Sequence, residues 1–172
     1  MAKHLPDAAA AVGTFMYWTG WRRNETLTRE WRHVDLTRGT IVLEPGETKS
    51  GDGRTFPFDV LPELAAVLKR QREYTDQVER RTSQIVRWVF HREGRRVVSI
   101  RAAWRTACDK AGLAGKIPHD FRRTAVRRLE RAGVPAQSRC NWSGTGPRPS
   151  TAATPSRTRR TYATDWRRSP PT

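Results

Sequence analysis

Residues 117–135 constrain the fold of this chain more than any other stretch. Their sequence, IPHDFRRTAVRRLERAGVP, places a proline ahead of a helical pattern and closes it with a glycine and a second proline. Proline suits the first turn of a helix, where its missing N–H would have no partner, and glycine suits the position just past the last turn. Helical spacing also relates four apolar residues, Phe121, Ala125, Leu129 and Ala132. We therefore predict a helix with one apolar stripe.

Two polar residues in the first turn of this helix form a candidate site. His119 and Arg122 lie three positions apart, so their side chains project in the same direction. There they would meet a ligand at the positive end of the helix dipole, which favours phosphate groups. The spacing is common, however, and a solvated basic helix with an incidental histidine would show it too.

The charge of the chain indicates a polyanionic partner. Its 172 residues include 33 Lys and Arg against 17 Asp and Glu, a formal net charge of +16. Arginine is far commoner than lysine, and a guanidinium matches phosphate oxygens with two donors at once. Nucleic acid is therefore favoured over a membrane surface, although a GC-rich genome would also raise the arginine content.

Several other classes of protein are disfavoured. No apolar run approaches the length of a membrane span, and the start MAKHLPD is not a secretory signal. Cys108 and Cys140 form neither a metal-binding nor a disulfide pattern. We therefore expect a cytoplasmic protein with no membrane partner. The length suits one domain with a hydrophobic core.

The chain before residue 117 is predicted to be an α+β domain, mainly helical with a small antiparallel sheet. An apolar helix covers residues 5–18, and Asn24 is a plausible cap for a short helix that carries Leu27 and Trp31. Two β-like runs, residues 40–44 and 54–58, flank a polar, glycine-rich segment and predict a hairpin.

Three more elements complete this domain. A long helix begins at Pro62, and residues 86–91 predict a short strand followed by a turn at Glu93 and Gly94. Ser99 caps a helix that runs to residue 113.

The composition changes after the helix of residues 117–135. From Glu130 to Thr172 there is no Leu, Ile, Met or Phe, and Val134 is the only branched aliphatic residue. Such a segment buries too little apolar surface to offset the entropy of ordering, so residues 136–172 are expected to be disordered.

Three motifs occur in order along the chain: TGWRRNE at residues 19–25, TKSGDGR at 48–54 and HDFRRT at 119–124. Together they resemble the catalytic domain of the tyrosine recombinases, the phage integrase family. The resemblance implies the α+β fold of that domain, in partial form, over residues 1–135. It also implies site-specific recombination or integration of double-stranded DNA for a phage or mobile element, by a homo-oligomer and without a metal or other cofactor.

The resemblance assigns catalytic roles to individual residues. Arg22 and Arg122 would hold the scissile phosphate, whose charge grows in the transition state. Lys49, on the hairpin, would protonate the leaving 5′ oxygen, and His119 would donate a hydrogen bond to the phosphate or assist proton transfer. Two alternatives stay open, namely Arg23 in place of Arg22 and a plain contact of Lys49 with the DNA backbone.

Other arginines are expected to contact the DNA backbone, namely Arg23, Arg54, Arg123 and Arg127. Such contacts add affinity that depends on salt and not on base sequence. For the arginines of the last helix, a solvated surface is the other interpretation. A non-catalytic basic DNA-binding protein, unrelated to recombinases, would share this charge pattern.

The chain departs from the family pattern in two places. The family usually carries a helical DNA-binding domain ahead of the catalytic domain, and here Met1 lies just before the first predicted helix, so half of the DNA clamp is expected to be missing. The family also follows the H-x-x-R helix with a Leu-x-Gly-His motif and then the tyrosine nucleophile. No histidine follows His119 in this sequence.

A shifted reading frame accounts for the second departure. Codons for residues 139–157 can be chosen so that they spell MQLVGHRT and then IYRRYA when read one nucleotide out of phase. That string is the missing motif with its tyrosine, so we infer a frameshift near Pro135 or Ala136. Tyr162 is the only tyrosine after His119. It would replace the nucleophile only if the tail held it at the site, so the chain as written is expected to be catalytically defective.

Overall fold

The computed structural model describes residues 4–47 and 53–131. Over these residues the chain is an α+β domain, mainly helical, as predicted. The helices are α1 (Asp7–Thr19), α2 (Arg23–Leu27), α3 (Pro62–Thr82), α4 (Arg101–Lys110) and α5 (His119–Arg131). The strands are β1 (Val34–Asp35), β2 (Thr40–Leu43), β3 (Arg54–Pro57), β4 (His91–Arg92) and β5 (Arg95–Arg96). Every helix in this part of the chain is too short or too polar to cross a lipid bilayer.

The first three strands form an antiparallel sheet in the order β1-β2-β3. Ile41 of β2 pairs with Phe56 of β3, and Leu43 pairs with Arg54. Ile41 and Leu43 are fully buried because alternate residues of a strand face the same side, here the core. The predicted hairpin is thereby confirmed, while its tip, including Lys49, lies outside the described residues.

The start of α2 differs from the prediction. The helix begins at Arg23 with Arg22 as its N-cap residue, so Asn24 lies inside the helix and does not cap it. Trp31 belongs to a separate 3₁₀ turn, Trp31–His33. The side chain of Glu25 accepts the N–H of Arg22 and satisfies the helix terminus, which leaves no need for a capping asparagine.

The predicted strand over residues 86–91 is also wrong. Trp88 makes one isolated bridge with Glu30, and only the last residue of the run, His91, belongs to a strand. The partner of this run is an irregular segment rather than a strand, since Val89 donates its N–H to the carbonyl of Arg29. The predicted turn at Glu93 and Gly94 is confirmed between β4 and β5.

Helix α1 lies in the middle of the core and packs against α2, α3 and α5. It carries large apolar residues on several faces, and the surrounding elements bury these faces. The ring of Phe15 meets Trp21 and Phe90 edge to face, each with a centroid distance of 5.4 Å. Trp21, two residues after the end of α1, thus anchors the connection to α2.

Helix α5 docks on this core through its apolar stripe. Phe121 packs edge to face on Trp104 of α4, with a centroid distance of 4.8 Å, and on Tyr17 of α1 at 5.7 Å. Ala125 is fully buried. The first half of the predicted stripe is therefore confirmed. Residues 132–172, with the predicted end of this helix, the predicted disordered tail and Tyr162, lie outside the described residues.

The aromatic contacts of Phe121 predict its contribution to stability. Phe121→Ala should lower the free energy of unfolding by about 2 to 3 kcal/mol, since the half-buried ring loses transfer energy and two aromatic partners. Chemical denaturation followed by tryptophan fluorescence measures this. Thr124→Ala is the matched control, because Thr124 is exposed on the same helix and its loss should change stability by less than about 0.5 kcal/mol. Equal losses in the two variants would contradict the docking of α5 through Phe121.

Candidate functional site

The N-terminal turn of α2 is built around one buried carboxylate, that of Glu25. Its Oε2 accepts the backbone N–H of Arg22 at 2.8 Å, and its Oε1 accepts Nη1 of Arg22 at 2.8 Å. Burial of Glu25 opposes its ionisation, but the charge of Arg54 and the hydrogen bonds from Arg22 outweigh burial and lower its pKa. The carboxylate therefore stays charged and fixes the guanidinium of Arg22, whose side chain is 32% exposed.

Arg122 reaches the same region from α5. Its side chain is buried, and Nη1 donates a hydrogen bond of 2.8 Å to the carbonyl of Gly20, two residues before Arg22. Nη2 is buried with no hydrogen-bond partner among the described residues. Burial, and then repulsion from Arg22, lowers the pKa of Arg122 to about 10, so it is still a cation at neutral pH. A buried cation with an unused donor destabilises the fold unless an anion binds it.

His119 lies at the surface, at the edge of a groove. It is exposed and lines, together with Arg22 and Arg23, a groove of about 980 Å³. Met16 and Trp104 add apolar surface to the same groove. Arg122 reaches inward to Gly20 while His119 is exposed at the surface, and a shared contact of the two residues with one phosphate stays a prediction.

Ion pairs hold the base of the β2–β3 hairpin on both sides. Arg54, the first residue of β3, donates from Nη2 to Oε2 of Glu25 at 2.6 Å. On the other side, Arg29 is fully buried and donates to both carboxylate oxygens of Glu47, at 2.7 and 2.9 Å. Arg29 also donates from Nε to the carbonyl of Glu25. The residues on either side of the hairpin tip, in which Lys49 lies, are thus tied to Glu25 of α2 and to Arg29, two residues after the end of α2.

One group of side chains among the described residues has the composition of a metal site. Ligand atoms of His33, Glu44 and Glu47 lie within 4.8 Å of one another. The guanidinium of Arg29 already occupies both oxygens of Glu47. A cation here would have to displace that buried charge, so the donor set is a poor fit for a metal ion.

The remaining predicted residues lie on the surface or outside the described chain. Arg23, Arg123 and Arg127 are exposed, and Arg123 approaches Asp120 at 3.4 Å. These three positions suit contacts with a DNA backbone, which remain predictions. Lys49 and Tyr162 lie outside the described residues.

The family model for the phage integrase family matches residues 3–139. The chain belongs to the phage integrase family. It is also similar to the integrase of Salmonella phage P22, with 27% identity over 149 residues that cover 78% of this chain and 36% of that protein. The chain therefore spans about a third of the length of this integrase.

Arg22, Arg54, Arg122 and Glu25 form a charged cluster in this phage integrase domain. Sequence reasoning missed Glu25 and gave Arg54 a different role. Glu25 lies inside the TGWRRNE motif, three residues after Arg22, and that spacing is the signal for a carboxylate that reaches back to the N-cap. Arg54 was expected at the DNA backbone, whereas the structure pairs it with Glu25 and places its guanidinium 5.1 Å from the ring centroid of Trp21. No local pattern links residues 25 and 54, because their contact depends on the docking of the hairpin against α2.

The buried carboxylate predicts an acid-dependent loss of stability. The pKa of Glu25 is lower in the folded chain than its ordinary value of 4.5, so its stabilising contribution is present above that value and is lost as pH falls through the folded pKa. Glu25→Gln should be less stable than the parent chain by about 2 kcal/mol at neutral pH, and this difference should shrink below pH 4.5. Urea denaturation as a function of pH measures both curves. Parallel curves would contradict the assignment of an ionised, buried Glu25.

Proposed function

We propose that this chain binds double-stranded DNA and holds one backbone phosphate between Arg22 and Arg122, as part of site-specific recombination or integration. The observation that carries the proposal is the buried guanidinium of Arg122, with an unused donor, in a cluster where cations outnumber carboxylates. Guanidinium groups fixed before the reaction can stabilise the charge that develops on the non-bridging phosphate oxygens. Membership of the phage integrase family supports the same reading.

Within this proposal the other residues have distinct roles. His119, at the groove, would donate a hydrogen bond to the phosphate, and the hairpin would supply Lys49 to protonate the leaving 5′ oxygen. Arg22 suits the phosphate better than Arg23, because Glu25 fixes Arg22, whereas the Nε of Arg23 donates only a long hydrogen bond of 3.4 Å to Oδ1 of Asn24. Exposed arginines such as Arg123 and Arg127 would contact neighbouring phosphates.

We further propose that the chain as written does not complete the reaction. In the family reaction a tyrosine oxygen attacks the phosphorus, a phosphotyrosine bond forms and the 5′ oxygen leaves with a proton. The Gly-His motif and a tyrosine at the family spacing do not follow Arg122 in the sequence, whereas codons for residues 139–157 can be chosen that spell both one nucleotide out of phase. The chain would therefore grip DNA without cutting it.

The proposed binding of one phosphate between Arg22 and Arg122, here called the phosphate grip, predicts which arginines contribute to DNA affinity. Arg22→Ala and Arg122→Met should each weaken binding to a short duplex by about tenfold or more, because each removes a charge-assisted hydrogen bond. Fluorescence anisotropy at fixed salt measures the affinity, and thermal unfolding confirms that each variant is folded. Arg80→Ala is the matched control, since Arg80 is an exposed arginine of α3 that lines neither the groove nor the cluster. Equal losses in all three variants would instead indicate a generic basic DNA-binding protein.

The inferred frameshift predicts that a corrected gene would encode a protein able to cleave DNA. A gene corrected by one nucleotide near codon 135 should yield a protein that forms a covalent adduct with a pool of nicked duplexes, seen as a protein–DNA band in denaturing gels. The chain as written should form none. An adduct in the uncorrected chain that disappears in Tyr162→Phe would overturn this prediction and make Tyr162 the nucleophile.

A further inference from the structure

Arg54 is placed to act through Glu25 rather than on DNA. Its side chain is only 11% exposed, and its guanidinium lies over the ring of Trp21 at 5.1 Å. Nη2 donates to Glu25 at 2.6 Å, and Nε is buried with no hydrogen-bond partner among the described residues. Packing on an indole ring and a short ion pair both restrict the guanidinium, so it presents little surface to a phosphate.

Glu25 serves two arginines with one carboxylate. Its Oε2 accepts both the N–H of Arg22 and Nη2 of Arg54, while its Oε1 accepts Nη1 of Arg22. The side chain of Glu25 is 4% exposed, so water does little to screen it from either partner. The negative charge of Glu25 is therefore divided between Arg22 and Arg54.

This division matters for the charge of the cluster. Arg22, Arg54 and Arg122 influence one another electrostatically, and Glu25 is the carboxylate that acts on Arg122 beside them. Three positive charges and one negative charge leave a net charge of +2. Without Arg54 the carboxylate would form its ion pair with Arg22 alone, and the net charge of Arg22, Arg122 and Glu25 beside a bound phosphate would be +1.

We propose that Arg54 is a positioning residue for the phosphate site, which shares the Glu25 carboxylate so that Arg22 keeps its orientation and its attraction for a phosphate anion. The inference rests on the proposed phosphate grip of Arg22 and Arg122. It assigns Arg54 an indirect role, in place of the backbone contact expected from sequence.

The test compares single and double variants of the full chain with inorganic phosphate as the probe. Arg54→Met should weaken phosphate binding by about tenfold. The dissociation constant is measured by NMR titration at constant ionic strength, from the chemical shifts of the folded protein alone. Arg54→Met combined with Glu25→Gln restores the net charge of the cluster, and it should bind phosphate about threefold more tightly than Arg54→Met alone. It should stay weaker than the parent chain, because the carboxylate that fixes Arg22 is lost. Arg54→Lys keeps the charge and should also stay within about threefold.

Two controls separate this inference from the proposed function. Arg32→Met removes an arginine that is ion-paired with Glu30 outside the cluster, and it should leave phosphate affinity unchanged. If Arg22→Ala and Arg122→Met do not weaken phosphate binding, the phosphate grip itself is wrong and the inference falls with it. If they do, but the double variant binds as weakly as Arg54→Met, then Arg54 contacts the phosphate directly and only the positioning role is overturned. Unchanged binding in Arg54→Met would also overturn that role.

Discussion

The rest of the candidate site depends on the contacts that the carboxylate of Glu25 makes. It joins three parts of the chain that are far apart in sequence: the N-cap of α2, the first residue of β3 and, through its field, the buried arginine of α5. Because like charges repel strongly where water is excluded, a cluster of guanidinium groups needs a buried anion to hold it together. Glu25 supplies that anion, and its position in the first turn of α2 adds the stabilisation of a helix N-terminus.

One carboxylate does not neutralise the three arginines of the cluster. The excess positive charge lowers the stability of the fold but favours the binding of an anion. Arg122 remains charged with an unused donor, which costs folding free energy in the absence of an anion. An anion that binds the folded chain and not the unfolded chain raises the free energy of unfolding and so offsets part of this cost. Residues such as Phe121 and Ala125 supply the compensating packing, because they hold α5 against the core while Arg122 turns towards Gly20.

The sequence predicted those parts of the fold whose causes are local. Helix α3 begins at its proline and the β2–β3 hairpin follows the alternation of apolar residues, as expected. Prediction failed where a distant partner decides. Residues 86–91 pair with an irregular segment around Arg29, and the start of α2 is set by the reach of Glu25 rather than by Asn24. The site followed the same rule: motifs indicated Arg22 and Arg122, whereas the link between Arg54 and Glu25 exists only after the hairpin has docked on α2.

In the proposed function, the residues that hold the phosphate precede the inferred frameshift, and the tyrosine nucleophile of the family would follow it. Arg22, Glu25, Arg54 and Arg122 all precede Pro135, and their mutual contacts use only residues before that point. A change of frame there would rewrite the tyrosine motif and leave every member of the cluster intact. In that case phosphate binding would be separable from nucleophilic attack in this chain, because the first needs fixed charges in the core while the second needs a nucleophile from the segment that follows α5.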